Sequence, residues 1–368
     1  MQETKYDYLI VGAGFFGAAF ARTVTDAGKR CLVIDKRDHI GGNAYTKKIE
    51  GIDVHVYGPH IFHTNSEVLW SWINQFTDFE PFINCPKALA NGKLYSLPFN
   101  MNTFYELWGV TTPQQAKEKI ESQTLVLSQP AINLEEQALS MVGVDIYELL
   151  IKHYTAKQWQ ADPKDLPPEI IKRIPLRFIY DNNYFNDKYQ GIPKNGYTEI
   201  FENLLKGIDV QLNVDFINNK NHYKSLAKKI VYTGKIDEYF DYCYGELPYR
   251  GLNFETKVIN TDNYQGTAVI NYSDSDVPYT RVVEHKHFNC STKSTKTVVT
   301  WETPISWTRD QTPYYPIDNE INRGVWKKYY ELSKNEPVIF GGRLAEYRYY
   351  DMHQVIASAL KTAKEELQ

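Results

Sequence analysis

The spacing of apolar positions changes along the chain, and each change marks an element. Tyr8 to Val11 is a short apolar run that stops at Gly12-Ala13-Gly14-Phe15-Phe16-Gly17. Ala18 to Ala27 follows as an alanine-rich stretch of helical character, and Arg30 to Ile34 is a second buried-type run closed by Asp35. The order is strand, glycine turn, helix, strand, acid. From Asn102 to His153 the apolar residues recur at helical spacing, punctuated by Pro113 and Pro130, which predicts a small helical insertion. From Leu252 to Trp307 β-branched and polar residues alternate, which predicts antiparallel strands. Near the end, Asp351 and Gln354 have capping-box spacing. Met352, Val355, Ile356, Ala359, Leu360 and Ala363 then fall on one face of a closing helix.

The glycine turn carries the first chemistry. Its first glycine permits a tight turn, the second lets the backbone approach a pyrophosphate, and the third allows helix to pack on strand. The helix start supplies free N–H groups and the positive end of a dipole. Asp35 lies at the right distance to accept from ribose hydroxyls. A second glycine pair, Gly41-Gly42 before Asn43, resembles the extended fingerprint of FAD-containing oxidoreductases. Ile230 to Gly234 and Val338 to Arg343 look like late strands of the same fold. The closing helix would aim its N-terminus at the flavin pyrimidine ring, where the dipole favours negative charge. No second GxGxxG occurs, so a reductant such as NADH or NADPH would visit transiently.

Composition narrows the class. Apolar residues make up 42% and charged residues 23% of 368, as in a soluble globular enzyme. A formal charge of −4 gives no reason to expect nucleic acid or an anionic membrane as partner. No apolar run approaches bilayer length, and the start MQETKYDYLIVGAG does not read as a signal peptide, so a cytoplasmic location is the default. Cys31, Cys85, Cys243 and Cys290 are scattered, which argues against a disulfide framework, a zinc site and a redox dithiol. The 28 tyrosines offer flat faces with hydroxyls, suited to nucleotides and sugars.

Several segments, in order, resemble the bacterial UDP-galactopyranose mutases. They include Tyr57-Gly58-Pro59-His60-Ile61-Phe62-His63-Thr64, Leu97-Pro98-Phe99-Asn100, Tyr154-Thr155-Ala156-Lys157-Gln158-Trp159, Ile171-Lys172-Arg173-Ile174-Pro175, Asn182-Asn183-Tyr184-Phe185, Tyr279-Thr280-Arg281, Tyr314-Tyr315-Pro316 and Gly341-Gly342-Arg343 through Tyr349-Tyr350-Asp351-Met352. The resemblance implies an α/β fold: a Rossmann-like FAD-binding domain with an inserted helical bundle and an antiparallel sheet for substrate. The expected pieces are 1–80, 191–245 and 316–368 for FAD, 81–153 for the helices, 154–190 with a movable loop at 166–181, and 246–315 for the sheet.

The resemblance also implies roles. Arg173, Arg281 and His63 would be catalytic. Asn84, Tyr154, Thr155, Trp159, Tyr184, Tyr314 and Tyr349 would join the two arginines on the substrate. The cofactor would meet Gly12, Gly14, Phe15, Phe16, Asp35, Lys36, Gly42 and Asn43. His60, Ile61, Phe216, Arg343, Tyr349, Asp351 and Met352 would complete that site, with no metal. The implied activity interconverts UDP-galactopyranose and UDP-galactofuranose, for galactofuranose-containing cell-surface polysaccharide, with UDP as a ligand and a homodimer as the assembly. Reduced flavin N5 would attack the anomeric carbon and later return it to UDP, with no net redox change. A mutase for UDP-N-acetylgalactosamine or dTDP-fucose would look much the same. An FAD oxidoreductase or a non-catalytic flavoprotein would share the fold without needing two arginines among several tyrosines.

Overall fold

The structure is a computed structural model and describes residues 5–172, 174–289 and 293–368. At its centre lies a five-stranded parallel sheet. The strand order is Asp209–Gln211, Cys31–Ile34, Tyr6–Val11, Ala227–Tyr232 and Val338–Phe340. Leu9, Ile10, Val33, Ile34 and Val231 are buried, as parallel strands covered on both faces require. Helices Phe15–Asp26 and Met352–Leu367 pack together on one face. Phe20 and Val24 share that core with Ile356, Ala359 and Ala363, while Met352, Val355 and Leu360 lie against it, so the predicted apolar face of the closing helix is the one that packs. Phe216, Tyr232 and Tyr239 cover the other side of the sheet.

A seven-stranded sheet stands beside it, ordered Tyr315–Pro316, Tyr249–Ile259, Thr297–Ser306, Arg281–Glu284, Val269–Tyr272, Lys87–Ala90 and Lys93–Ser96. Its strands pair antiparallel except Val269–Tyr272 with Lys87–Ala90. The last two strands correct the expected helical span of 81–153, because they form a hairpin that belongs to the sheet. Its turn is Asn91-Gly92, with φ of 50° and 72°. An Asn-Gly pair in this left-handed conformation is a strong local signal for a tight hairpin.

Helices Met101–Trp108, Pro113–Glu121 and Leu134–Ile146 form the inserted helical unit. A π-helical stretch, Tyr147–Lys152, runs directly into the helix His153–Trp159. Such wide turns often re-aim side chains near functional sites. In the 166–181 segment, Leu166 and Ile171 are buried in the core of this unit, and the Arg177 N–H donates to the Phe99 carbonyl at 2.9 Å. Arg173 lies outside the described residues. Among the described residues no helix is long and apolar enough to cross a membrane.

Candidate functional site

A crevice of about 240 Å³ opens at the carboxyl ends of the parallel strands. Gly12, Gly14, Phe15 and Phe16 line it from the turn, and Asp35 and Lys36 from the end of the second strand. Gly42, Asn43 and His60 form another wall, and Phe216, Arg343 and Met352 reach it from distant parts of the chain. Gly12 has φ of +110°, and a Cβ there would meet Thr233 Oγ1 at 2.0 Å. A Cβ on Gly17 would sit 2.0 Å from the Gly12 carbonyl oxygen, so helix and turn touch without room for any side chain. Gly14 and Gly42 face each other, a Cβ on Gly42 lying 3.2 Å from the Gly14 Cα.

The residues present fit a dinucleotide. The helix Phe15–Asp26 begins at Gly14 with no side-chain cap and no acid in its first turn. Its free N–H groups therefore remain available to phosphate. Arg37 lines the same crevice, and its Nη1 is buried without a partner. Its Nη2 donates to Asn43 Oδ1 at 2.8 Å. Asp35 Oδ2 accepts from the Ala13 N–H at 2.7 Å, and Oδ1 from the Arg37 N–H at 2.9 Å. These bonds fix the carboxylate and leave lone pairs for ribose hydroxyls.

His60 joins the crevice to the next group of residues. Its Nδ1 donates to the Gly58 carbonyl at 2.7 Å, which leaves Nε2 as an acceptor. Burial pushes its pKa down to about 4, and the charges of Arg343 and Arg281 push the same way. Its own N–H donates to His55 Nδ1 at 3.0 Å, and the His55 N–H donates to His285 Nδ1 at 3.2 Å. Burial lowers His55 well below the ordinary histidine range and takes His285 to about 3. All three rings are held neutral.

Next to His60 stands a group of aromatic and cationic side chains, which form the candidate substrate face. Arg281 starts the strand Arg281–Glu284, and its guanidinium lies 3.5 Å from Glu302, its cross-strand partner. Burial opposes its charge, but the Glu302 carboxylate together with Tyr154 and Tyr315 outweighs it and raises the pKa. Tyr154 lies close enough to the same guanidinium to favour its charge. Tyr349 stacks on Tyr315, with centroids 5.2 Å apart. Arg343 lies 5.2 Å from the Tyr315 ring and donates to the carbonyls of Tyr314 and Tyr350. Trp159 faces Arg250, the guanidinium carbon 4.5 Å from its ring.

Several sequence-derived assignments move. Tyr314 is buried against Phe254 and Tyr57, while the adjacent Tyr315 joins Arg250, Arg343 and Tyr349. Ile61 packs in an apolar cluster with Ile192 and Val283, and Asp351 caps its helix, its N–H donating to Gln354 Oε1 at 2.9 Å. Neither they nor Tyr349 line the crevice. His63 also stands outside it, stacked on Phe185 with Nδ1 2.5 Å from Asp187 Oδ2. His63, His353 and Asp351 bring two imidazoles and a carboxylate within 4.8 Å, an arrangement that could hold a cation. The buried Asn84 carbonyl accepts from the Tyr184 N–H at 2.8 Å, and Thr155 is buried on the same helix as Tyr154 and Trp159.

Sequence reasoning missed Arg37, Arg250, Glu302, Tyr315 and Lys157. The Lys157 ammonium is caged by four carbonyl oxygens, those of Tyr272, Asp274, Val277 and Tyr279, at 2.7–3.2 Å. It ties the helix carrying Tyr154 and Trp159 to the loop that leads into Arg281. Burial lowers its pKa to about 8, with Asp274 and Asp276 opposing. The carbonyl cage favours the ammonium further. A charged residue inside an alternating strand was the available signal for Arg250 and Glu302, the same signal that drew attention to Arg281.

The family model for UDP-galactopyranose mutase matches residues 149–349, and that for an NAD(P)-binding Rossmann-like domain matches 10–76. The chain is 42% identical over 364 residues to a probable UDP-galactopyranose mutase of Klebsiella pneumoniae, covering 97% of this chain and 94% of that protein. It is 40% identical over 365 residues to a dTDP-fucopyranose mutase of Escherichia coli, covering 97% of each. Its fold is similar to the crystal structure of a reduced UDP-galactopyranose mutase, with a TM-score of 0.75 at 13% identity over 98% of this chain and 95% of that one. By the family match and by these full-length likenesses, the chain belongs to the UDP-galactopyranose mutase family.

Proposed function

We propose that this chain interconverts the pyranose and furanose rings of a nucleotide-linked galactose, UDP-galactose foremost, with FAD as its dinucleotide. The observation that carries the reading is the position of His60. It lines the dinucleotide crevice and lies within electrostatic reach of Arg281 in the candidate substrate face. A cofactor ring at the mouth of the crevice and a sugar held by that face would therefore meet. A reduced flavin supplies a nucleophile for the anomeric carbon and gives the chain no net redox work.

The chain's own residues hold and orient. Gly14, Gly42 and the helix N-terminus would cradle the pyrophosphate, and Asp35 would take ribose hydroxyls. Arg281, backed by Glu302, would hold the diphosphate both before and after it leaves the sugar, with Arg173 opposite by resemblance. A guanidinium suits that task because it stays charged and bonds phosphate in a fork. Tyr154 and Trp159 offer faces for the base. Tyr184 and Tyr349 offer hydroxyls to phosphate. Neutral His60 adds no cation where positive charge develops on the sugar, and its free Nε2 can accept a hydrogen bond there. NADH or NADPH would serve as external reductant, and a homodimer is the expected assembly.

Identity to the two mutases is 42% and 40%, too close to decide the sugar. The test is direct. The protein should purify yellow with releasable FAD. It should then be reduced with dithionite, given UDP-galactofuranose or dTDP-fucofuranose, and the products separated by chromatography. Formation of UDP-galactopyranose at the higher kcat/KM is the expected result. Preference for the fucose nucleotide would reassign the sugar, and no conversion of either would overturn the reading.

A further inference from the structure

Two histidines and an aspartate meet beside the dinucleotide crevice rather than in it. His63 stands on the short strand Phe62–Thr64, and Asp351 and His353 open the closing helix as its cap and its second residue. One nitrogen or carboxylate oxygen from each lies within 4.8 Å of the other two, and all three residues are half-buried. The His63 and His353 rings stand edge to face, with centroids 5.3 Å apart. Met352 lines the crevice, whereas Asp351 and His353 on either side of it do not.

Asp187 prepares His63 to be a ligand. His63 Nδ1 lies 2.5 Å from Asp187 Oδ2. A carboxylate only accepts, so Nδ1 carries the proton and Nε2 keeps its lone pair. The other Asp187 oxygen accepts from the Asn65 side-chain amide. The His63 ring is also stacked on Phe185, centroids 3.8 Å apart. Tautomer and ring plane are therefore both fixed. A carboxylate behind the imidazole in this way is the common support of a metal-ligating histidine, and it raises the basicity of the ligating nitrogen.

We infer that His63, His353 and Asp351 form a binding site for one transition-metal ion of the zinc class. Two imidazole nitrogens and one carboxylate oxygen suit zinc, which bonds such ligands at about 2.0–2.2 Å and keeps a fourth position open when the protein supplies three. Tetrahedral bonds of that length put the ligands roughly 3.4 Å apart, so the observed spacing closes by small side-chain rotations. Magnesium and calcium prefer sets made of oxygen alone and should be rejected. The start of a helix by itself disfavours a cation. Two carboxylates offset that, Asp351 as a ligand and Asp187 behind His63. The ligands come from opposite ends of the chain, so only the fold assembles them. A bound ion would tie the strand that follows His60 to the start of the closing helix. The inference goes beyond the mutase reading and does not rest on it.

The alternative is a polar cluster that needs no ion. The FAD-loaded, untagged chain should be freed of metal with a chelator and titrated calorimetrically with zinc chloride and with magnesium chloride. His353→Ala, Asp187→Asn and, as a control, His222→Ala at an exposed histidine should be treated alike.

We expect one zinc per wild-type chain and no magnesium. Asp187→Asn should bind zinc about tenfold more weakly, as loss of a supporting carboxylate does. His353→Ala should lose more, and His222→Ala should match wild type. Absence of a saturable zinc site, or zinc affinity in His353→Ala within twofold of wild type, would overturn the inference. A footprint on the wild type covers the case in which the variants do not fold. Zinc should protect His63 and His353, but not His222, from diethyl pyrocarbonate when the labelled peptides are mapped by mass spectrometry. Equal labelling with and without zinc would overturn the inference as well. None of these measurements uses a nucleotide sugar, so the metal site and the mutase reading fail separately.

Discussion

Arg281 and Glu302 sit directly opposite each other on neighbouring antiparallel strands, guanidinium to carboxylate at 3.5 Å, with Glu302 buried. Register alone brings them together, since they stand 21 positions apart along the chain. The carboxylate keeps Arg281 charged in a site that burial would otherwise disfavour. It also fixes the direction in which the remaining guanidinium N–H groups point.

Removing Arg281 should therefore do two kinds of harm. Arg281→Ala takes away a phosphate donor and leaves Glu302 buried and unmatched. Loss of a desolvated charge partner typically costs on the order of 2–5 kcal/mol. We expect kcat/KM to fall by roughly two to three powers of ten, at ~1.4 kcal/mol per factor of ten. Glu302→Gln should lower it less, because Arg281 stays but is no longer aimed. Steady-state assays of reduced enzyme, with FAD content measured in parallel, decide the matter. Near-wild-type kcat/KM, or loss of FAD, would remove Arg281 from substrate binding.

Gly14 and Gly17 are three residues apart and should fail differently. A Cβ on Gly14 meets nothing closer than 3.8 Å and the backbone there is not left-handed, so Gly14→Ala should fold normally. Its methyl group would intrude on the phosphate face, so the protein should purify with little FAD. Gly17→Ala drives a methyl group into the Gly12 carbonyl at 2.0 Å and should lower stability itself, by about 1–3 kcal/mol as overpacking does. Thermal melts of the FAD-free forms separate the two. Equal melting temperatures for both variants would refute the assignment.

Lys157 should matter to activity without touching the cofactor. Lys157→Met leaves four carbonyls without their shared donor and frees the helix His153–Trp159 from the loop before Arg281. The expected outcome is a higher KM for nucleotide sugar and for UDP, with flavin content and spectrum unchanged. An unchanged KM would show that the cage is dispensable for positioning Tyr154 and Trp159.

Stability should fall on mild acidification. His60 has a folded pKa of about 4 and His285 of about 3, and His55 lies well below the ordinary value. An unfolded histidine titrates near 6.5. Between about pH 6.5 and 4 the unfolded chain takes up protons that the native chain refuses, so stability is complete above that window and is lost as pH falls through it. Each histidine contributes up to roughly 2 kcal/mol between pH 6.5 and 5, at ~1.4 kcal/mol per pH unit. Urea midpoints measured from pH 8 to 5 should stay level and then drop. A flat profile down to pH 5 would mean that these rings are protonated in the native state.

Much of the molecule was legible because its chemistry is local. The GxGxxG turn, the acid after the second strand and the capping spacing at Asp351 each act within a few residues, where backbone sterics and hydrogen bonding decide the outcome. The apolar face of the last helix follows from its period alone, and Ile356, Ala359 and Ala363 pack as that period requires. The Asn91-Gly92 hairpin was equally local, but the helical pattern after it drew the insertion boundary too early.

The sequence by itself thus determined the dinucleotide turn, the element types and, through ordered motif resemblance, the family. Only the tertiary structure decided that Tyr315 rather than Tyr314 stacks beside Arg250 and Arg343, since the two residues are chemically identical and a side chain's direction depends on which strand its backbone pairs with. It alone gave Arg281 a carboxylate and, among the described residues, left Arg250 without one. Pairing of charges is a matter of non-local register, and nothing within a few residues of Arg250 encodes which neighbour will be absent.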